Sequence, residues 1–439
     1  MRKIFLILLM AFIGSLLFAD GVQPNGTGTE SDPYQIATLD NLLWLSTTES
    51  LWANGSYYQQ TADINASDTQ NWNDGQGFSP IGNDVIEFTG FYNGQNHTIT
   101  DLYINRPDND FIALFGKMYY GAIHNLGLVN VSVSGHNNCA GLIGSDDYID
   151  ISDCYVIGYV EGSVYVGLLL GYAGNTTVEN CFVNGSVEGS TFIGGMIGLT
   201  NGFPTASQCY FRNCYAIGSV FGIVGVGGFV GTDMSFVYDR CYSAVVVDAE
   251  SQVGGFAGSV SYSPGFIDCF WDVEVSNQIV GAGPSSLPRT DELYGCTTLE
   301  MQTDTTYVNL GWDFDNTWSI NPDLNGGYPY LRSMELPVSN EEEVMPPMID
   351  VSYLNSAYPN PFNPETTIEF NVKKNEKGFL TIFNIKGQVV KEYREFDSGK
   401  HSVVWNGADK HGKEAASGVY FYRLKTQSCD TVKKMIMMK

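Results

Sequence analysis

Acids and aromatic residues recur at near-constant spacing in this chain, and they are the residues best suited to chemistry. Glu161, Glu188 and Asp248 hold equivalent places in successive segments, with Phe221 at the place between the last two. Like charges one strand spacing apart repel unless a cation or a raised pKa relieves them, so the row would suit calcium. Carboxylates about 5–5.5 Å apart are also the pair that a retaining glycosidase uses. Asp146, Asp147, Asp150 and Asp153 form a second acidic group open to the same two chemistries. The plainer reading of both sets is solvated turn acids. No basic residue accompanies either, which weakens the case for a polysaccharide lyase. Tyr155, Phe182, Tyr215, Tyr242 and Phe270 make an aromatic row. Pointing outward, it would offer a flat surface for sugar rings or a partner protein, or the rings would only stack on one another and stabilise the fold.

Each of those aromatics follows a cysteine: Cys154, Cys181, Cys214, Cys241 and Cys269. The other four are Cys139, Cys209, Cys296 and Cys429. Residues at one repeat position of a parallel stack have Cβ atoms about 4.8 Å apart, beyond the ~3.5–4.5 Å of a disulfide. A buried thiol ladder is therefore expected, with Cys acting as a small hydrophobe, while Cys209 and Cys214 could pair across an extruded loop. Zinc is disfavoured because no His or Cys-x-x-Cys accompanies the row. The chain has 5 His and no His-Glu-x-x-His, so metallopeptidase chemistry of that kind is absent.

These rows need a scaffold that repeats. Five glycine-bounded strings end at Gly144, Gly171, Gly198, Gly231 and Gly258, at intervals of 27, 27, 33 and 27, and a weaker copy ends at Gly116, 28 earlier. The unit is too short for a propeller blade and lacks helical periodicity. A coil of a parallel β-helix with about three short strands suits it, each coil stacking ~4.8 Å from the last. Cys181, Val183, Gly185 and Val187 share one parity and are predicted to line the interior, which turns Phe182 outward. The longer interval holds Asn201-Gly202-Phe203-Pro204, a loop extruded from one coil. Thr38 is predicted to cap a helix over Leu39–Thr47, with Leu39, Leu42, Leu43 and Ser46 on one side, covering the open first rung.

Charge divides the chain. The net charge of −26 over 439 residues separates into −31 for residues 1–350 and +5 for 351–439. So acidic a chain lacks the basic footprint of a nucleic-acid binder and is unsuited to anionic lipid. The division falls near Glu341-Glu342-Glu343-Val344-Met345-Pro346-Pro347, which reads as a linker. Met1-Arg2-Lys3 followed by apolar Ile4–Ala19 reads as a secretory signal, too short at 16 residues to span a membrane as the ~20 of a transmembrane helix would. The expected plan is a signal peptide at 1–19, a β-helix with its cap at 20–334, a linker at 335–352 and a small antiparallel β-sandwich at 353–439. No other segment is apolar enough to span a membrane, so the mature chain is expected to carry no transmembrane span.

Pro33-Tyr34-Gln35-Ile36, Phe88-Thr89-Gly90-Phe91-Tyr92-Asn93-Gly94 and the glycine strings resemble the GLUG-motif repeat proteins of bacterial surfaces, over roughly residues 25–334. That resemblance implies a right-handed parallel β-helix and surface display, but no single activity. Pro359-Asn360-Pro361-Phe362-Asn363-Pro364, Gly387, Trp405, Gly412, Ser417-Gly418 and Tyr420 resemble, in order, the type A C-terminal sorting domain of the type IX secretion system. They are also similar to the Ig-like domain of flagellar hook-capping proteins. The sorting domain implies export through the outer-membrane secretion machinery to the surface of a Gram-negative-type bacterium. The expectation for the whole is a non-enzymatic, adhesin-like protein binding a glycan or protein, with a carbohydrate-active enzyme as the alternative. No cofactor is expected beyond structural calcium.

Overall fold

The computed structural model describes residues 21–202, 209–234, 236–261, 265–284, 292–334, 352–354, 357, 362–373, 376–410, 412–427 and 430–438. The signal segment, the extruded loop from Phe203 and Pro204 onward to residue 208, nearly all of the linker, Pro359, Asn360, Pro361 and Cys429 lie outside them.

The middle of the chain winds as a parallel β-helix. Tyr155–Glu161 pairs in parallel register with Phe182–Glu188, then Tyr215–Phe221, then Tyr242–Asp248 and Cys269–Asp272. One coil carries Tyr155–Glu161, Val164–Val166, Leu170–Ala173 and Thr177–Glu179, so there are four short strands where about three were expected. The extra corner comes from residues that accept left-handed backbone. Tyr165 and Asn180 have φ of 60° and 51°, and their counterparts Phe192 and Asn213 follow one coil later at 59° and 50°. The glycine strings mark places where successive coils nearly touch. A Cβ on Gly171 would sit 2.4 Å from the carbonyl oxygen of Gly144, and one on Gly231 would sit 2.5 Å from that of Gly198. Side chains at those corners would force the coils apart.

The interior follows the predicted parity. Cys154, Val156 and Val160 are buried, as are Cys181, Val183 and Val187 on the next coil. All five ladder cysteines are buried free thiols, Cys214 among them, and the buried Cys209 donates to Asn175 Oδ1. The Cys154 amide donates to Cys181 Sγ at 3.4 Å, one rung above. The first coil is closed by the helix Leu39–Thr47, with Thr38 accepting from the Asn41 amide at 3.2 Å. Its buried face is Asn41, Leu42, Leu45 and Ser46, one position round from the face expected, because Trp52 packs there and donates its ring N–H to Leu45 O.

Thr298–Met301, Thr305–Val308 and the antiparallel pair Trp318–Ser319 with Tyr330–Leu331 follow the last coil. They do not continue the solenoid but lie along its side, where Met301, Tyr307, Trp312, Trp318, Tyr328 and Leu331 form a second core. The C-terminal module has two antiparallel sheets, one of three strands and one of four, around a single core that includes Phe370, Trp405 and Tyr422. Among the described residues no helix is long and apolar enough to cross a membrane.

Candidate functional site

The aromatic row forms, but it is not exposed. Tyr155, Phe182, Tyr215 and Tyr242 stack with centroids 4.9, 4.9 and 5.0 Å apart and planes within 4°. Phe182, Tyr215, Tyr242 and Phe270 are at most 3% exposed and only Tyr155 is half-buried. The expectation of an open ladder is therefore corrected. The rings point outward from the solenoid as parity requires, and the returning segment covers them. Trp318 lies 6.1 and 6.2 Å from Tyr215 and Tyr242, and the Tyr242 hydroxyl donates to Pro329 O at 2.6 Å. The ladder is a structural core, and only its Tyr155 end keeps partial exposure.

The Glu161, Glu188 and Asp248 row keeps the gap at Phe221 that its sequence shows. Glu161 is in register with Glu188, but Glu188 pairs with Phe221 and only Phe221 with Asp248. An apolar rung thus separates Asp248 from the pair. Among the described residues no group of three or more His, Cys, Asp or Glu is placed to hold a metal ion. Burial and the Glu161 charge raise the Glu188 pKa, and the Tyr159 hydroxyl interacts with both carboxylates.

The second acidic group does not converge either, because each acid is tied to the following coil. Thr177 Oγ1 donates to Asp150 at 2.5 Å, and Asn175 donates to Asp147 from its backbone and side chain at 2.8 and 2.9 Å. Asp153 takes a bond from Ser333 of the covering segment. Asp146 is the exception in kind. It is 2% exposed, accepts from Thr176 Oγ1 at 2.5 Å, and its other oxygen has no hydrogen-bond partner. Burial pushes its carboxyl up to about 7, with the Asp147 charge acting in the same direction.

Asp146 lines a cleft of about 370 Å³, together with Phe111, Lys117, Tyr119, Asn138, Tyr165 and Tyr172 among others. Tyr172 and Tyr165 meet edge to face at 6.2 Å, and Tyr165 stacks on Phe192 of the next coil at 5.6 Å and 11°. Tyr119 in turn contacts Tyr120 and Tyr148, whose rings stack at 4.8 Å and stand 56% and 37% exposed. Lys117 pairs with Glu87 at 2.8 Å and lies over the Phe111 ring at 5.7 Å. Sequence reasoning missed these residues. The signal is in the sequence, since Asn138, Tyr165 and Phe192 fall 27 apart, in a column separate from the one that follows the cysteines.

In the C-terminal module the motif residues act as packing and turn elements. Phe362 is buried against Trp405 at 5.5 Å and exchanges backbone bonds with Ile436 and Met438. Trp405 donates its ring N–H to Ala408 O, and Tyr420 its hydroxyl to Ala416 O. Gly387 and Gly412 turn the chain at φ 74° and 79°, Gly418 opens the strand Gly418–Lys425 just after Ser417, and Asn363 and Pro364 lead toward Thr366–Val372.

Residues 356–438 match the secretion system C-terminal sorting domain. A chain bearing this domain is exported by the type IX route to the cell surface, and it must engage the secretion machinery to do so. Residues 162–188, one full coil, match the GLUG motif. Halomucin of Haloquadratum walsbyi is 38% identical over 152 residues, and a Gly-rich membrane protein named from Evansella cellulosilytica is 31% identical over 126. Those stretches cover 33% and 28% of this chain but only 2% and 14% of the two relatives. The crystal structure of a Bacteroides ovatus protein, named by conjecture an immunoglobulin A1 protease, superposes with a TM-score of 0.53 at 21% identity. It covers 71% of this chain and 95% of that one, a likeness of fold alone.

Proposed function

We propose that this surface protein is an adhesin-like binding protein that takes a glycan in the cleft between Tyr165, Tyr172 and Tyr119. The observation that carries the reading is the cleft itself: about 370 Å³ lined by Phe111, Tyr119, Tyr165 and Tyr172 beside polar side chains, with the exposed Tyr120 and Tyr148 packed against Tyr119. Ring faces bind the C–H faces of sugars, and hydroxyl and amide groups beside them fix orientation. Display at the cell surface puts such a site where extracellular glycans are met. The test is an array of glycans and host proteins probed with the mature full-length chain, with and without calcium. Glycan binding that is lost in Tyr165→Asn supports the reading. Binding only to proteins, or glycan binding untouched by that substitution, overturns it.

One observation favours a second reading, glycan cleavage: a carboxyl raised to about 7 beside a sugar-sized cleft has the proton affinity of a general acid. Turnover of a bound glycan that vanishes in Asp146→Asn would establish it, and a bound but uncleaved glycan would remove it.

A further inference from the structure

The cleft opens onto a column that runs from coil to coil. Phe111, Asn138, Tyr165, Phe192, Gly225 and Gln252 occupy one corner of successive coils, all with left-handed φ between 53° and 70°. The strands beginning or ending beside them are in parallel register, Val164 with Asn137 and with Thr191, and Thr191 with Val224. Phe111, Asn138, Tyr165 and Phe192 are all partly exposed. Phe192 lies outside the cleft, one coil beyond Tyr165, and its partly exposed ring leans over Gly225, the position in the column without a side chain. The aromatic platform therefore continues past the cleft and stops where the column loses its side chain. Three coil steps separate Phe111 from Phe192, about 14 Å, which is longer than one sugar ring.

The charges at the cleft have one sign left to offer. Lys117 is the cation lining it, and that ammonium is already held by Glu87. Asp146 and Asp147 line it too, on the strand paired with that of Lys117. A uronate or sulfated sugar would bring its own negative charge toward Asp147 without a free cation to meet it.

We propose that the column is a binding track on which a neutral, linear oligosaccharide lies along the solenoid axis, from Phe111 across Tyr165 to Phe192. This rests on the reading of the cleft as a glycan site. Asn138 stands between two ring platforms, and its amide supplies the polar contact for sugar hydroxyls. Specificity then comes from length and charge together, since each added ring gains another platform only if the chain is extended along the axis.

Calorimetric titration of the full-length chain with neutral and uronate-containing oligosaccharides of increasing length tests this. Affinity for the neutral series should rise with length, and the acidic series should bind at least about tenfold more weakly at equal length. Phe192→Asn, which places at this corner the residue that position 138 already carries in the same column, should weaken long neutral chains about tenfold and leave the shortest unchanged. Thermal unfolding of that variant checks that the coil is intact. Phe192→Gln, which copies the residue at position 252 of the same column, is the second variant. Length-independent binding of neutral sugars that still needs Tyr165 would overturn the track and keep the cleft. Equal or tighter binding of the acidic series would overturn the selection by charge. Failure of every glycan to bind would remove the cleft reading and this inference with it.

Discussion

Two aromatic columns run along the same solenoid, and they have opposite fates. Tyr155, Phe182, Tyr215 and Tyr242 stack almost coplanar under Trp312 and Trp318, whereas Tyr165 and Phe192 stack at a corner that stays partly open. Both columns arise from the same in-register stacking, and both point away from the interior. The difference is the returning segment after the last coil, which lies on one and not the other. An outward aromatic ladder is therefore a surface only until something covers it. The sequence period alone does not say which.

The comparison can be broken most forcefully through the cover. Trp318 is fully buried between the ladder and Trp312, so Trp318→Ala should cost about 3–5 kcal/mol in urea unfolding. A cost under about 1 kcal/mol would mean that the ladder does not need its cover. Glycan affinity of the folded fraction should stay as it was.

Asp146 gives a comparably large effect, visible through pH. Its carboxyl titrates near 3.8 when unfolded and at about 7 when folded, so the native state holds the proton through that window. Stability should fall as pH rises from 4 to 7, in total by on the order of 4 kcal/mol at about 1.4 kcal/mol per pH unit. Asp146→Asn should flatten this dependence and be the more stable protein at pH 8. Parallel curves for variant and wild type would show that the carboxyl is ionised throughout.

A smaller effect separates the columns by role. Tyr165→Asn should lower glycan affinity about tenfold while changing unfolding free energy by less than about 1 kcal/mol. A variant that loses stability instead would make this column as structural as the covered one. The smallest effect lies within the ladder. The Tyr215 hydroxyl is buried without a hydrogen-bond partner, whereas that of Tyr242 is held by Pro329 and Asn325. Tyr215→Phe should gain about 1 kcal/mol, and Tyr242→Phe should lose a similar amount, both read by thermal unfolding.

Much of the fold was legible because a parallel stack copies its constraints. The glycine columns, the inward cysteines and the Thr38 cap each depend on local spacing or on the neighbour one coil away. The candidate site was less legible for the same reason in reverse. Asp146, Asp147 and Asp150 look alike in sequence, and only their bonds to Thr176, Asn175 and Thr177 distinguish a buried acid from its more exposed neighbours. The Phe221 rung between Glu188 and Asp248, by contrast, is visible in the sequence and stands in the same register in the fold.

The sequence by itself determined the repeat, the parity of its strands, the export address and the composition of every column. Tertiary structure decided which columns face solvent. The contact that settles it, Tyr242 to Pro329, joins residues 87 apart and belongs to no repeat. Periodicity describes what each coil does to the next. It carries no information about an aperiodic segment whose docking is driven by burying Trp312, Trp318 and Tyr328 against whichever face is apolar enough to receive them.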